Sequence, residues 1–148
     1  MGLFDTMVNS RLKNIINSIA DKIAAKQTVT KEDFDALISK LGRVSYQLRR
    51  KKDFETLKAF CGGIASAFER IDEIAATFED KTKIPISNIK VLISDVLSKE
   101  EEEMKEEGMG IDDIKSNIML SLNQLSAFIK SKEIRKAVKA EAAAQVAA

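Results

Sequence analysis

The chain has 148 residues, of which 45% are hydrophobic and 32% are charged, and its formal net charge is only +1. This size and composition suit one globular domain with its own core and argue against wholesale disorder. A single cysteine excludes an intrachain disulfide, and the absence of histidine removes the commonest general base and transition-metal ligand.

Helix-breaking residues are few, since the chain has one proline and six glycines. Apolar residues recur instead at spacings of three and four, which is typical of helices that bury one face. The first predicted helix spans about residues 3–25. Its apolar stripe is Phe4, Val8, Leu12, Ile15, Ile16, Ile19 and Ile23.

Two capping signals mark the next helices. Thr30 is a good N-cap, and Asp33 three residues later forms a weaker capping box. The second helix runs to the basic sequence "RRKK", with the stripe Phe34, Leu37, Ile38, Leu41, Val44, Ser45 and Leu48. Asp53 is predicted to cap a third helix, with the stripe Leu57, Phe60, Cys61, Ile64, Phe68, Ile71, Ile74, Ala75 and Phe78. Gly62 and Gly63 lie inside it and each costs about 1 kcal/mol against alanine, so we expect a close neighbouring helix there.

Pro85 predicts a break, because the residue before a proline is pushed out of helical geometry. A fourth helix is predicted from about Ser87, with the buried stripe Ile89, Leu92, Ile93, Val96 and Leu97.

The following "KEEEEMKEEGMG" is expected to be frayed or loop-like, because its glutamates lie at the wrong end of that helix for the dipole. A fifth helix is predicted from about Ile111, with the stripe Ile114, Ile118, Leu122, Leu125, Phe128 and Ile129.

These elements predict an all-α protein, organised as an antiparallel bundle of four to five helices over residues 1–130. A helix-prone, Ala-rich and basic tail follows over residues 131–148. Its apolar face is narrow and made of small side chains, so we expect it to become ordered only against a partner.

Charge is segregated along the chain. Residues 1–52 carry 11 basic and 5 acidic side chains, whereas residues 100–113 carry 1 and 8. Blocks of opposite sign allow head-to-tail contact between copies, although solvated charges balanced within one bundle are the alternative. The acidic residues predicted to meet a basic partner are Glu100, Glu101, Glu102, Glu103, Glu106 and Glu107.

Two basic clusters are candidate contacts for nucleic acid or for a neighbouring subunit. One or two cations would complement the dipole of the second helix, and four consecutive ones exceed that need. Phosphate contact requires only a surface of cations, and Tyr46 is too little aromatic surface to predict base stacking. The first cluster is Arg43, Arg49, Arg50, Lys51 and Lys52, and the second is Lys130, Lys132, Arg135, Lys136 and Lys139.

No catalytic residue, metal site or cofactor is predicted. Gly62-Gly63 and Gly108-Met109-Gly110 lack the spacing and the lysine of a phosphate-binding loop. Cys61 lies on an apolar stripe, which indicates a small core residue. We therefore expect a protein that is not an enzyme.

The N-terminus raises the question of membrane contact. "MGLFDT" fits the loose pattern for N-myristoylation, and "MGLFD" before an amphipathic helix resembles the start of phage-shock-type membrane remodelling proteins. However, Phe4 and Val8 continue the stripe of Ile15 and Ile19, so burial is the simpler interpretation. Neither a membrane span nor a signal peptide is expected.

Two further stretches resemble known families. "TVTKEDFDALISKL" is similar to the helical N domain that precedes the GTPase of signal-recognition-particle proteins, although no phosphate loop follows here. "LRRKKDFETLKAFCGGIASAF" resembles the coat proteins of archaeal two-tailed and spindle-shaped viruses, and "KAVKAEAAAQVAA" looks similar too. In those coat proteins a paired arginine, a polar turn with aspartate and a threonine-initiated amphipathic helix follow one another. The matching positions are Arg49, Arg50, Asp53, Thr56, Lys58 and Ala59.

The coat-protein resemblance implies a small structural protein that assembles in many copies into a virion. Helices would pack subunit to subunit, and basic residues would face nucleic acid or an acidic neighbour. The alternative is a soluble, cytoplasmic helical module that binds nucleic acid or a protein partner.

Overall fold

The computed structural model describes residues 3–75 and 86–130, and within them the chain forms seven α-helices and no β-strand. The helices are α1 (Leu3–Ala24), α2 (Lys31–Arg49), α3 (Phe54–Ala67), α4 (Ile71–Ala75), α5 (Ile86–Ser98), α6 (Glu101–Glu106) and α7 (Ile111–Lys130). The predicted all-α class is confirmed. The expected break before Pro85, the inward position of Phe78 and the tail over 131–148 lie outside the described residues.

The starts of α2 and α3 follow the predicted caps. The Thr30 hydroxyl accepts a hydrogen bond from the Asp33 N–H at 3.2 Å, and the Asp33 carboxylate accepts one from the Thr30 N–H at 2.8 Å. The Asp53 carboxylate accepts from the Thr56 N–H at 2.8 Å. Each such cap contributes about 1 kcal/mol, because it satisfies a helix N–H that has no intrahelical partner.

The apolar stripes pack into one core. Helix α2 packs against α1 and α7, α5 packs against α3 and α7, and α1 also packs against α3 and α4. The largest fully buried side chains are Phe34, Phe60, Phe68, Leu12, Ile16, Ile19, Leu37, Leu41, Leu48, Leu57, Ile64 and Ile71. The inward prediction for Leu97 is wrong: it is 37% exposed, because Val96 beside it takes the core-facing position of that turn.

The third predicted helix is not continuous. Helix α3 ends at Ala67 and α4 begins at Ile71, with turn hydrogen bonds from the Phe68 N–H to the Ala65 carbonyl and from the Ile71 N–H to the Phe68 carbonyl. Phe68 and Ile71 are nevertheless both buried, so the apolar spacing runs unbroken across the turn. Arg70 holds the turn against α1, since its guanidinium lies 2.6 Å from the Asp21 carboxylate.

The acidic stretch is helical rather than loop-like, which corrects the prediction. Glu101, Glu102 and Glu103 occupy the first turn of a new helix, α6, where carboxylates stabilise the positive end of the dipole. Met104 is buried and anchors the helix to the core. Gly108, with φ of +80°, allows the chain to leave α6 in a left-handed conformation.

The glycine pair in α3 meets α1 at one position. The Asn9 side chain of α1 occupies the space that a Cβ at Gly63 would need, which confirms the expected close approach of a helix. At Gly62 a Cβ would make only an ordinary contact with Leu97, at 3.9 Å. Asn9 is 5% exposed, and neither its amide nitrogen nor its amide oxygen has a hydrogen-bond partner among the described residues.

Candidate functional site

The four consecutive cations do not form one surface. Lys51 is only 8% exposed, and its ammonium lies 2.5 Å from the Asp5 carboxylate of α1 and 4.8 Å from the centre of the Phe60 ring. It is therefore not available to a phosphate or a neighbouring subunit, which removes it from the predicted contact set. Arg49, Arg50 and Lys52 are exposed.

The turn that carries these cations is fixed on both sides. Arg50 is the C-cap of α2, and the Lys51 N–H donates to the Leu48 carbonyl at 3.1 Å. From α7, the Lys115 ammonium donates to the Arg49 carbonyl at 3.1 Å and to the Lys51 carbonyl at 2.6 Å. The exposed cations thus project from a braced backbone, next to the beginning of α7.

Helix α6, which precedes α7 in the chain, carries the acidic residues. Lys99 pairs with Glu107 at 2.8 Å, and Lys105 pairs with Glu101 at 3.6 Å. The hydrogen bond from Lys99 to the Glu107 carboxylate raises the pKa of the lysine. The glutamates that remain exposed, without an ion pair to any described residue, are Glu100, Glu102, Glu103 and Glu106.

The turn that carries Arg49, Arg50 and Lys52, which we call the basic turn, lies at the same end of the molecule as α6. Lys115 connects the start of α7 to the turn, and the Lys58 ammonium near the start of α3 donates to the Lys99 carbonyl just before α6, at 3.1 Å. No ion pair joins the two groups among the described residues. We call this surface the charged end; its residues are Arg49, Arg50, Lys52, Glu100, Glu102, Glu103 and Glu106.

Arg43, the remaining predicted contact of the first cluster, lies on α2 about two helical turns before the charged end. Two further cations near it were not predicted from the sequence. Lys40 is on the same helix, and Arg11 is on α1. Burial lowers the pKa of Lys40, and the positive charges of Arg43 and Arg11 lower it further. Lys40 could have been predicted from the sequence, because residues three apart share a helix face and Arg43 was already a candidate. Arg11 could be identified only from the packing of α1 against α2.

The second basic cluster is described at one residue only. Lys130, the last residue of α7, is exposed. Lys132, Arg135, Lys136 and Lys139 lie outside the described residues.

The described residues hold no group of three or more acidic or cysteine side chains that could hold a metal ion. Burial raises the pKa of the Cys61 thiol to about 12, so it stays protonated and unreactive at neutral pH. An open, largely apolar groove of about 410 Å³ lies between α3 and α5. Its lining is Ala65, Phe68, Glu69, Lys90, Ile93, Ser94, Leu97 and Ser98.

Among the described residues that line the groove, no nucleophile is paired with a base. In the described lining, the Glu69 carboxylate lies 3.7 Å from the Lys13 ammonium, and the Lys90 ammonium pairs with Asp72.

None of the helices in the described ranges is both long enough and apolar enough to cross a bilayer. Comparisons with protein-family models, with curated proteins and with solved structures find no match to this chain.

Proposed function

We propose that the five longer helices alternate in direction as an antiparallel bundle, with α4 and α6 as short additions. Three contacts support this arrangement, because each joins the beginning of one helix to the end of another. Lys58 of α3 reaches the Lys99 carbonyl after α5, and Lys115 of α7 reaches the Arg49 carbonyl that ends α2. Lys22 near the end of α1 pairs with Asp33 at the start of α2, at 2.8 Å.

We propose further that the chain is a non-enzymatic structural subunit that assembles in many copies. The observation that carries this proposal is the charged end, where exposed cations and exposed glutamates lie at the same end of the molecule with no ion pair between them among the described residues. A second copy offers each group the opposite charge. The resemblance of residues 48–68 to archaeal virus coat proteins makes a virion coat our preferred setting.

The position of both groups at one end changes the expected geometry of contact. Head-to-tail association requires opposite charges at opposite ends of the subunit. Here a two-fold axis places the basic turn of each copy against α6 of the other, so that the same contact is made twice. Growth beyond a pair needs a second contact, which we assign to the Ala-rich segment 131–148, outside the described residues.

Charge reversal tests this contact. Arg49→Glu combined with Lys52→Glu places like charges opposite each other in both halves of the interface, so self-association should weaken at least about tenfold. Sedimentation equilibrium gives the association constant, and electron microscopy shows whether larger assemblies persist.

The matched control is Lys26→Glu combined with Lys31→Glu. This control changes the net charge by the same amount. Its two residues lie at the loop between α1 and α2, away from the charged end, so it should associate as the wild type does. Wild-type protein that stays monomeric at high concentration would overturn the assembly proposal. Unchanged association of the charged-end variant would overturn the assigned contact.

A further inference from the structure

A second concentration of positive charge lies on α1 and α2 and meets the charged end at Arg50, the C-cap of α2. Arg11 is on α1, which packs against α2, the helix that carries Lys40 and Arg43. The positive charges of the two arginines lower the pKa of Lys40, after the larger effect of its burial. None of the three forms an ion pair with a described residue. Among the described residues, the repulsion between these three cations is therefore not offset by an ion pair.

The same row of positive charge continues along α2. Residues three and seven positions apart share a helix face, so Lys40, Arg43 and Arg50 lie in a line. Ten residues of helix from Lys40 to Arg50 span about 15 Å at about 1.5 Å per residue. The Arg50 guanidinium lies 5.7 Å from the centre of the Tyr46 ring, which is 57% exposed on this face. We call Arg11, Lys40, Arg43 and Arg50 the basic strip.

We infer that the basic strip binds the phosphate backbone of nucleic acid without reading its sequence. Its length along α2 matches about four phosphates of one strand, since a duplex rises about 3.4 Å per phosphate of each strand. Three of its four members are arginines, whose planar guanidinium matches phosphate oxygens.

Nucleic acid fits this surface better than a lipid membrane does. Membrane binding by a helix requires a broad apolar face beside the cations. The exposed large apolar side chains near the strip, among the described residues, are Tyr46 on α2 and Met7, one turn before Arg11 on α1. The inference goes beyond the proposed assembly, because a single copy of the chain presents the whole strip.

Salt dependence measures the number of phosphate contacts directly. The probe is a fluorescein-labelled, mixed-sequence duplex DNA of 20 base pairs, titrated at several salt concentrations. The test variant carries Arg11→Gln, Lys40→Gln and Arg43→Gln. Each lost contact should reduce the slope of log affinity against log salt by about 0.9, or about 2.7 for all three, and affinity at about 0.1 M salt should fall at least tenfold.

A matched control separates the strip from net charge. Lys26→Gln, Lys31→Gln and Lys105→Gln remove three exposed cations from other surfaces, and this variant should keep the wild-type slope. A variant with Arg11→Lys and Arg43→Lys retains the charges and should keep most of the affinity. Thermal unfolding of the test variant should be unchanged or shifted upward, because a repulsion has been removed, so a folding defect cannot mimic the result.

Three outcomes would overturn the inference. They are no DNA binding by the wild type at low salt, an equal loss in the control variant, and strip-dependent binding to vesicles containing phosphatidylserine without binding to DNA. The test variant keeps Arg49 and Lys52. The test variant should therefore lose DNA binding and keep self-association, whereas the charged-end variant should lose self-association and keep DNA binding. Because each variant tests one proposal, either proposal can fail while the other stands.

Discussion

Lys51 and Lys52 are neighbours in one run of cations but lie in opposite environments. Lys51 is buried against Asp5 and the Phe60 ring, whereas Lys52 is exposed to solvent. A buried ion pair adds little stability over an apolar pair of similar volume, but removal of one partner leaves an uncompensated charge in the core. One lysine of this run is therefore structural, and the other is free to make contacts.

The Lys51→Met substitution should lower the free energy of unfolding by about 3 kcal/mol, because it leaves the Asp5 carboxylate buried without its cation. Lys52→Met is the matched control and should change the free energy by less than about 0.5 kcal/mol. Adding Asp5→Leu to Lys51→Met should restore much of the loss. Urea denaturation measures all three, and equal effects at the two lysines would contradict the burial of Lys51.

The Cys61 thiol makes stability depend on pH in the alkaline range. Burial raises its pKa from 9.0 to about 12, so the folded state holds the proton more tightly than the unfolded state. This contribution is fully present below pH 9 and is lost as the pH rises from about 9 towards 12. The stability gap between the wild type and Cys61→Ala should narrow by about 1.4 kcal/mol between pH 8 and pH 10. A constant gap across that range would show that the thiol is not shielded from solvent.

At the scale of elements, the sequence patterns predicted those features that depend on residues close together in the chain. The caps at Thr30 and Asp53 depend on hydrogen bonds between residues three apart, so they could be identified without knowledge of the fold. The break between α3 and α4 could not, because the clamp from Arg70 to Asp21 joins residues far apart in sequence. Helix α6 was missed because its glutamates were assigned to the end of α5; the buried Met104 was the signal for a separate helix.

The two glycines of α3 should respond differently to the same substitution. Gly63→Ala places a methyl group where the Asn9 side chain lies and should cost about 1–3 kcal/mol. Gly62→Ala has room and should stabilise the protein by up to about 1 kcal/mol through helix propensity. Thermal or urea unfolding measures both.

A second substitution, at Asn9, tests whether the Asn9 side chain is the reason for the cost at Gly63. Asn9→Ala removes the obstructing amide, which makes no hydrogen bond within the part of the chain that the structure describes. In that background Gly63→Ala should cost much less, as a double-mutant cycle would show. Similar effects at Gly62 and Gly63 would mean that α1 does not approach α3 as closely as described.

At the scale of the whole molecule, the fold gathers charges that the sequence keeps apart. Arg49 and Glu102 are 53 positions apart in the chain, and both are exposed at the charged end. Sequence blocks of opposite sign indicated attraction between copies, but not that both signs share one end. The packing of α3, α5 and α7 brings both signs to that end. This placement is why we propose a reciprocal contact between two copies rather than a head-to-tail one.

A charge-swap experiment tests this contact most directly. One variant carries Arg49→Glu and Lys52→Glu, and the other carries Glu102→Lys and Glu103→Lys. Each alone faces like charges across the two-fold axis and should remain monomeric in sedimentation equilibrium. An equimolar mixture restores opposite charges in both halves, so we expect association close to that of the wild type. A mixture that stays monomeric, or single variants that associate as the wild type does, would contradict the account.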